Sequence, residues 1–232
     1  MKQTSLLINT ATIVGVAGIA VEGEVVSQAS LQLAMSSNGT VAAIDRLLTD
    51  TGSSIDEVQE IILVRGPGTF TGSRVGASIA KAIAYVTSCS LVSVSTLEAL
   101  AWSGFLQSPA DLADGSMWAL LDARHHEFYA ERFEVRDRQL QPGSGAVCRD
   151  LDVFAEVRQT GGIAACAFAA SVVPQEENVG GHDNTTWLFD MYPTCAGILA
   201  ASQVGRREDP FVFEPVYLRT LEELFDHPTV TP

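Results

Sequence analysis

The fold is decided by the stretch Arg65-Gly66-Pro67-Gly68-Thr69-Phe70-Thr71-Gly72-Ser73-Arg74-Val75-Gly76, because this stretch joins two kinds of secondary structure. The apolar and β-branched run before it, residues 61–64, predicts a buried strand. The glycines and the proline predict a tight turn, and residues 75–84 are typical of a helix. A buried strand that turns directly into a helix indicates a protein of the α/β class.

The glycine-rich turn is a candidate anion site, because free N–H groups and the helix dipole converge at a helix N-terminus. Gly66, Gly68 and Gly72 form G-x-G-x-x-x-G, which differs from the G-x-G-x-x-G of dinucleotide-binding proteins. No Gly-Lys-Ser/Thr follows, so the Walker A motif is also missing. A structural turn is therefore favoured over a phosphate site.

Two arginines flank this turn and are the candidate anion contacts, Arg65 and Arg74. The alternative is that they pair with acids of the same chain, such as Glu98. The three glycines are expected at backbone conformations that a Cβ would strain, so that they fix where the next helix begins.

The first part of the chain shows the element order of a ribonuclease-H-like lobe. Three strands, a helix, a strand, a helix and a strand are predicted, at residues 5–8, 13–21, 24–31, 39–51, 61–64, 75–84 and 91–94. Ser95-x-x-Glu98 is a capping box that predicts the start of a further helix. We assign residues 1–104 to this N-terminal lobe.

Residues 105–232 are predicted to form a second lobe. Its expected elements are strands at 118–123, 127–133 and 163–168, a short helix near 150–158, and an exposed loop at 174–185. A final helix is predicted at about 186–204, with Pro193 either kinking it or marking its true start. The C-terminal tail is expected to pack back toward the first lobe.

Composition narrows the class of protein. Of the 232 residues, 47% are apolar and 18% are charged, which is typical of a packed globular protein. The net charge of −14 argues against direct binding to a nucleic-acid backbone. The four scattered cysteines predict neither a disulfide framework nor a zinc site. Polar residues interrupt the apolar N-terminus, so we predict two strands there, no membrane segment, and a cytoplasmic protein.

Four stretches in order resemble the TsaB (YeaZ) family. Residues 64–76 match a family pattern close to G-R-G-P-G-S-F-T-G-x-R-x-G, and the other matches lie at residues 94–100, 121–129 and 215–219. The resemblance spans most of the chain. It implies a two-lobed actin/hexokinase/Hsp70-like fold with a reduced second lobe.

The resemblance also implies a function. Family members serve as a non-catalytic scaffold or activator in forming threonylcarbamoyladenosine at position 37 of tRNAs that read ANN codons. The implied partners are a TsaD homologue as catalytic subunit and a TsaE homologue as ATPase. The tRNA would be contacted indirectly. Whether the isolated chain forms a homodimer stays an open question. No cofactor is expected, except ATP at the subunit junction.

The sequence lacks several residues that the catalytic functions considered would require. Asn9 stands where actin-like ATPases, and the family pattern I-D-T-x-T, carry an aspartate, so Asn9 is expected to cap a turn and not to serve a magnesium nucleotide. No two histidines are four residues apart, so the sequence lacks a His-x-x-x-His pair that could bind a metal from one face of a helix. A metallopeptidase is therefore the least favoured of the functions considered. His125 and His126 are interpreted as turn residues, and Asp122 with Arg124 as a structural pair. The alternative function is a nucleotide-dependent transferase or kinase acting on a small molecule.

Two helices are candidates for a partner interface, because apolar side chains recur along them at helical spacing. Side by side, they could form a four-helix bundle with an equivalent pair of the partner. The alternative is that the same side chains cover the chain's own sheet. The predicted interface residues are Val41, Ile44, Leu48, Val75, Ile79 and Ile83.

Overall fold

The computed structural model describes residues 3–32, 37–108, 114–174 and 184–218. The strands are β1 (Thr4–Asn9), β2 (Val14–Val21), β3 (Glu24–Gln32), β4 (Glu60–Val64), β5 (Ser90–Val94), β6 (Gly115–Arg124), β7 (Glu127–Arg136), β8 (Gln139–Leu140), β9 (Val147–Arg149), β10 (Gly162–Cys166), β11 (Thr185–Leu188) and β12 (Arg206–Glu208). The helices are α1 (Ser37–Asp50), α2 (Phe70–Thr87), α3 (Thr96–Gln107), α4 (Val153–Thr160) and α5 (Cys195–Ala201).

The first sheet has six strands in the order β12-β5-β4-β1-β2-β3. Strands β1, β2 and β3 form an antiparallel meander, while β4 and β5 run parallel to β1. This arrangement confirms the predicted order of three strands, a helix, a strand, a helix and a strand. The second sheet has the order β11-β10-β6-β7-β8, and β9 pairs with β7.

Helices cover both sheets, and the alternation of side chains along each strand explains how. On β1, Leu6 and Ile8 point to the core under α1 and α2, whereas Leu7 points to the opposite core with α5. Helix α3 contributes Ala99 to this second core and Leu100 to the core of the second sheet. Thus α3 lies between the lobes and joins their interiors.

The last part of the chain returns to the first sheet. Helix α5 buries Cys195, Ile198 and Ala201 against it, and β12 pairs antiparallel with β5 at its edge. Phe213 then fills the core beneath α1 and α2. Residues 195–213 therefore belong in space to the first lobe although they follow the second in sequence.

The prediction of one helix over residues 186–204 is wrong. Residues 185–188 form β11, which pairs parallel with β10, because Thr185, Thr186 and Trp187 suit a strand. Pro193 cannot continue a helix from the preceding residues, and Thr194 starts α5 by accepting the N–H of Gly197 at 3.0 Å. Pro193 thus precedes the true start of the helix, in agreement with the second of the two predicted possibilities.

Some predictions concern parts of the chain outside the described residues. They are most of the 174–185 loop, with His182, and the C-terminal tail from Arg219, with His227. Among the described helices, none combines the length and the apolar character that crossing a bilayer requires.

Candidate functional site

The β1–β2 hairpin is closed by Asn9. Its side chain is fully buried, the Nδ2 group donates to Thr12 Oγ1 at 2.9 Å, and Oδ1 accepts the N–H of Ala11 at 3.0 Å. Both ends of the amide are therefore occupied within the turn. This confirms the prediction that Asn9 caps the turn.

The glycine turn packs directly on this hairpin. The N–H of Thr69 donates to Ala11 O at 2.7 Å, and Thr10 Oγ1 donates to Gly72 O at 2.7 Å. A Cβ on Gly68 would overlap the carbonyl oxygen of Ala11, and one on Gly72 would overlap that of Thr10. The backbones of the turn and the hairpin are thus in direct contact at Gly68 and Gly72.

The expected backbone strain occurs at one glycine of the turn. Gly66 has a φ of +109°, a value that favours glycine. Gly68 and Gly72 lack such a φ, so the prediction of strained backbone is wrong for these two. They are needed because two backbone segments approach closely, a reason that spacing along the sequence does not show.

The two arginines of the turn have different surroundings. Arg74 is exposed on α2, with its guanidinium carbon 3.8 Å from the centre of the Phe70 ring and its Nε donating to Tyr217 Oη at 3.3 Å. Arg65 directly follows β4, and its buried Nε has no hydrogen-bond partner among the described residues. The Arg65 charge acts on Glu131 of β7.

Glu131 is a buried acid that the sequence analysis missed. It is 6% exposed and lies in the apolar face of β7 with Tyr129 and Phe133. Burial first, and then repulsion from Glu98, raise its pKa to about 7, against the hydrogen bond from the Gly145 N–H and the charge of Arg65. An acid in phase with apolar residues along a strand was the available signal.

Between the lobes lies a cleft of about 960 Å³. The hairpin and the glycine turn line one side, and Asp122, Tyr129 and Asp190 line the other. Asp122 accepts the N–H of Arg124 at 2.7 Å, so this acid stabilises the end of β6. His125 and His126 lie in the exposed turn that follows, as predicted. Within the described ranges, no three metal-binding side chains come together.

The predicted interface residues divide by burial. Ile44, Leu48 and Ile79 are buried beneath α1 and α2, and Val75 and Ile83 are half-buried against the same core. Of the six predicted residues, Val41 alone is exposed. The structure therefore corrects the assignment of Ile44, Leu48 and Ile79 to an interface, because the faces that carry them cover the sheet.

The opposite faces of the two helices form an exposed surface, which we call the α1–α2 face. Its apolar and small residues are Val41, Ala42, Ser78, Ala82, Tyr85 and Val86, and the same helices also expose the charged residues Asp45, Arg46 and Arg74. Phe211 and Val212 extend it, with the rings of Tyr85 and Phe211 5.7 Å apart. Tyr85, Val86, Phe211 and Val212 are 69–76% exposed.

The turn that carries Phe211 is held in place from both sides. The backbone N–H of Phe211 donates to Asp209 Oδ1 at 2.9 Å, and Lys81 Nζ donates to the carbonyl oxygen of Phe213 at 3.1 Å. The buried Phe213 anchors the same turn below α2. The exposed apolar side chains are thus presented on a fixed backbone, which reduces the entropy lost when a partner binds.

Comparison with known proteins agrees with this architecture. YeaZ from Pseudomonas aeruginosa superposes with a TM-score of 0.75 at 18% identity, covering 93% of this chain and 100% of the solved one. A Pseudomonas aeruginosa structure described as similar to peptidase YEAZ gives the same score over 94% of this chain. These likenesses show that the chain shares the α/β fold of the YeaZ structures.

Sequence comparison identifies the family. The TsaB protein of Haemophilus influenzae is 36% identical over 86 residues, which are 37% of this chain and 35% of that protein. The TsaB protein of Bacillus subtilis is 29% identical over 99 residues, 43% and 41% of the two chains. These matches span less than half the length of either relative. The model of the family "TsaD: tRNA N6-adenosine threonylcarbamoyltransferase" matches residues 31–177. The chain therefore belongs to this family and, within it, to the TsaB (YeaZ) group.

Proposed function

We propose that this protein is a non-catalytic subunit in the biosynthesis of threonylcarbamoyladenosine on tRNA, and that it binds a catalytic TsaD homologue through the α1–α2 face. The observation that carries the binding role is the exposed apolar surface of this face and its extension at Phe211 and Val212. Small residues such as Ser78 and Ala82 allow the close approach of a second helix pair.

The β1–β2 hairpin supports the non-catalytic part of the proposal. A magnesium nucleotide in an actin-like site needs an acid and free backbone groups at this hairpin. Here both polar ends of Asn9 are engaged within the turn, and Thr10 and Ala11 are in direct contact with the glycine turn. No observation favours the alternative, a nucleotide-dependent transferase or kinase.

The net charge of −14 bears on which subunit of the complex binds the tRNA. An acidic surface repels the tRNA backbone, so a partner subunit supplies the basic surface that holds the substrate. In this arrangement the protein contributes to activity by stabilising its partner. Binding of a TsaE homologue, and of ATP at the subunit junction, belongs to the same hypothesis. The exposed residues of the α1–α2 face support neither of these two interactions.

The experiment that tests the proposal is co-expression of the chain with the TsaD homologue of the same organism. The pull-down yield, the dissociation constant and the formation of threonylcarbamoyladenosine on tRNA are measured. We expect the Tyr85→Glu/Val86→Glu double variant to bind about thirtyfold more weakly or worse, because it places charges at the centre of an apolar contact. Modification of tRNA falls with the binding.

The matched control is Val26→Glu, which changes an exposed apolar residue of β3 outside this face. The control is expected to bind the partner like the unchanged chain. A folded double variant that retains the original affinity would overturn the interface. Loss of a homodimer by the double variant on a sizing column, with TsaD binding intact, would assign the face to self-association.

A further inference from the structure

The N-terminal part of α2 carries an arginine whose side chain is held on two sides. The guanidinium carbon of Arg74 lies 3.8 Å from the centre of the Phe70 ring, which is one turn earlier on the same helix. The Nε group of Arg74 donates to Tyr217 Oη at 3.3 Å, and the rings of Phe70 and Tyr217 are 5.4 Å apart. Because stacking and the Nε bond restrict the rotamers of the side chain, its two Nη groups keep a fixed direction.

Tyr217 is itself fixed by the segment that carries it. The N–H of Val216 donates to Arg65 O at 2.9 Å, and a Cβ on Gly66 would overlap the carbonyl oxygen of Val216. On the other side of the tyrosine, Leu218 packs against the core of the second sheet. Contacts with both lobes therefore define where the Tyr217 hydroxyl lies.

The charge of Arg74 is not neutralised within the described part of the chain. The side chain is exposed, and it forms no ion pair with any of the described residues. The Tyr217 hydroxyl accepts one of the five N–H donors of the guanidinium. The donors of the two Nη groups remain, and they form the planar fork that binds a carboxylate through two parallel hydrogen bonds.

This arginine lies at one end of the α1–α2 face. Four exposed residues of α2 follow one another at helical spacing, namely Arg74, Ser78, Ala82 and Tyr85. About three turns of helix separate Arg74 from Tyr85, whose ring contacts that of Phe211. The α2 side of the face therefore has a cationic end at Arg74 and an apolar end at Tyr85 and Phe211.

We propose that Arg74 binds a carboxylate side chain of the TsaD homologue and so fixes the direction in which that partner docks, an inference that rests on the proposed function. Two helix pairs can meet in more than one orientation, because apolar contacts are not directional. A cationic group at one end favours the orientation that brings an acid opposite it, since the reverse orientation sets the charge against apolar side chains. Phe70 and Tyr217 serve as positioning residues, because they hold the guanidinium and leave its fork free.

The dissociation constant of the full chain for the TsaD homologue, measured without nucleotide, tests the proposal. Arg74→Gln is expected to bind about tenfold more weakly, because it removes both the charge and the fork. This difference should shrink as the NaCl concentration rises from about 0.1 M to about 1 M, since salt screens an exposed ion pair. Arg138→Gln removes the same charge from an exposed turn between β7 and β8, and this matched control should bind like the unchanged chain.

A second variant tests the positioning role of the tyrosine. Tyr217→Phe keeps the ring but removes the acceptor for the Nε group of Arg74, so it should weaken binding about threefold. In the Arg74→Gln background the same change should have no further effect, because the hydroxyl acts through the arginine. Losses that multiply in the double variant would contradict this role.

The carboxylate is located by replacing the exposed acids of the TsaD homologue singly by their amides. One such variant should lose about tenfold in affinity and lose no more when it is combined with Arg74→Gln. A folded Arg74→Gln variant with unchanged affinity would overturn the proposal, while the α1–α2 face would stand if Tyr85→Glu/Val86→Glu still bound about thirtyfold more weakly. A loss seen only with ATP present would assign Arg74 to a nucleotide phosphate, and loss of a homodimer with TsaD binding intact would assign it to a second copy. Either of these results would also overturn the proposal.

Discussion

Gly68 and Gly72 lie against the carbonyl groups of Ala11 and Thr10, where two segments distant in sequence touch through their backbones. A side chain at either glycine would separate the turn from the hairpin. The helix α2, which begins at Phe70, would then start in a different place. A substitution at Gly68 or Gly72 would therefore also displace the residues that α2 contributes to the α1–α2 face.

We predict that Gly68→Val lowers the free energy of unfolding by about 2 kcal/mol, because the added atoms overlap fixed backbone. Partner binding should weaken at the same time, since α2 is displaced. The measurements are thermal unfolding and affinity for the TsaD homologue, with Thr71→Val, an exposed position in the same turn, as the control. Unchanged stability together with loss of an ATP affinity present in the unchanged chain would identify a nucleotide loop.

At the scale of elements, α1 and α2 each have one face on the sheet and one face in solvent. The neighbouring residues Ser78 and Ile79 of α2 illustrate this division, since Ser78 is exposed and Ile79 is buried in the core. Replacing each of these two residues by Glu distinguishes an effect on folding from an effect on partner binding.

We expect Ile79→Glu to lose about 3 kcal/mol or more of unfolding free energy, because it buries a carboxylate without a partner. Ser78→Glu should change stability by less than about 0.5 kcal/mol and should weaken partner binding. Urea denaturation and the pull-down described above measure the two effects. A stable Ile79→Glu variant would contradict the burial of this face.

The elements also separate what the sequence can predict from what it cannot. The strands β1 to β5 and the helices α1 and α2 follow from apolar runs and turn residues, and the start of α3 follows from the capping box at Ser95. All of these signals are local in the sequence. Periodicity finds the apolar face of α1 and α2 but does not distinguish a face on the sheet from a face for a partner. The contact of Gly68 with Ala11, and the effect of Glu98 and Arg65 on Glu131, join residues far apart in the chain, so no local pattern contains them.

At the scale of the whole molecule, Glu131 links stability to pH. Its pKa is about 7 in the folded state and 4.5 in its ordinary state, so the folded chain binds more protons between these values. The unfolding free energy therefore falls as the pH rises from about 4.5 to about 7, and Glu131 has no further effect above that range.

We predict that Glu131→Gln removes this part of the pH dependence, which amounts to at most about 3 kcal/mol. Urea denaturation at several pH values between about 4.5 and 8 measures it, with Glu134→Gln as the control. If the two variants show the same pH dependence, Glu131 does not titrate in the folded chain as described.

The return of residues 195–213 to the first sheet has a consequence for synthesis on the ribosome. Until this segment leaves the exit tunnel, β5 has an unpaired edge and the side chains that later pack on α5 are uncovered. The first lobe, although its strands β1 to β5 are translated first, can finish folding only after residues 195–213 have been synthesised. A nascent chain released before residue 195 would carry an open sheet edge, which chaperones and proteases bind.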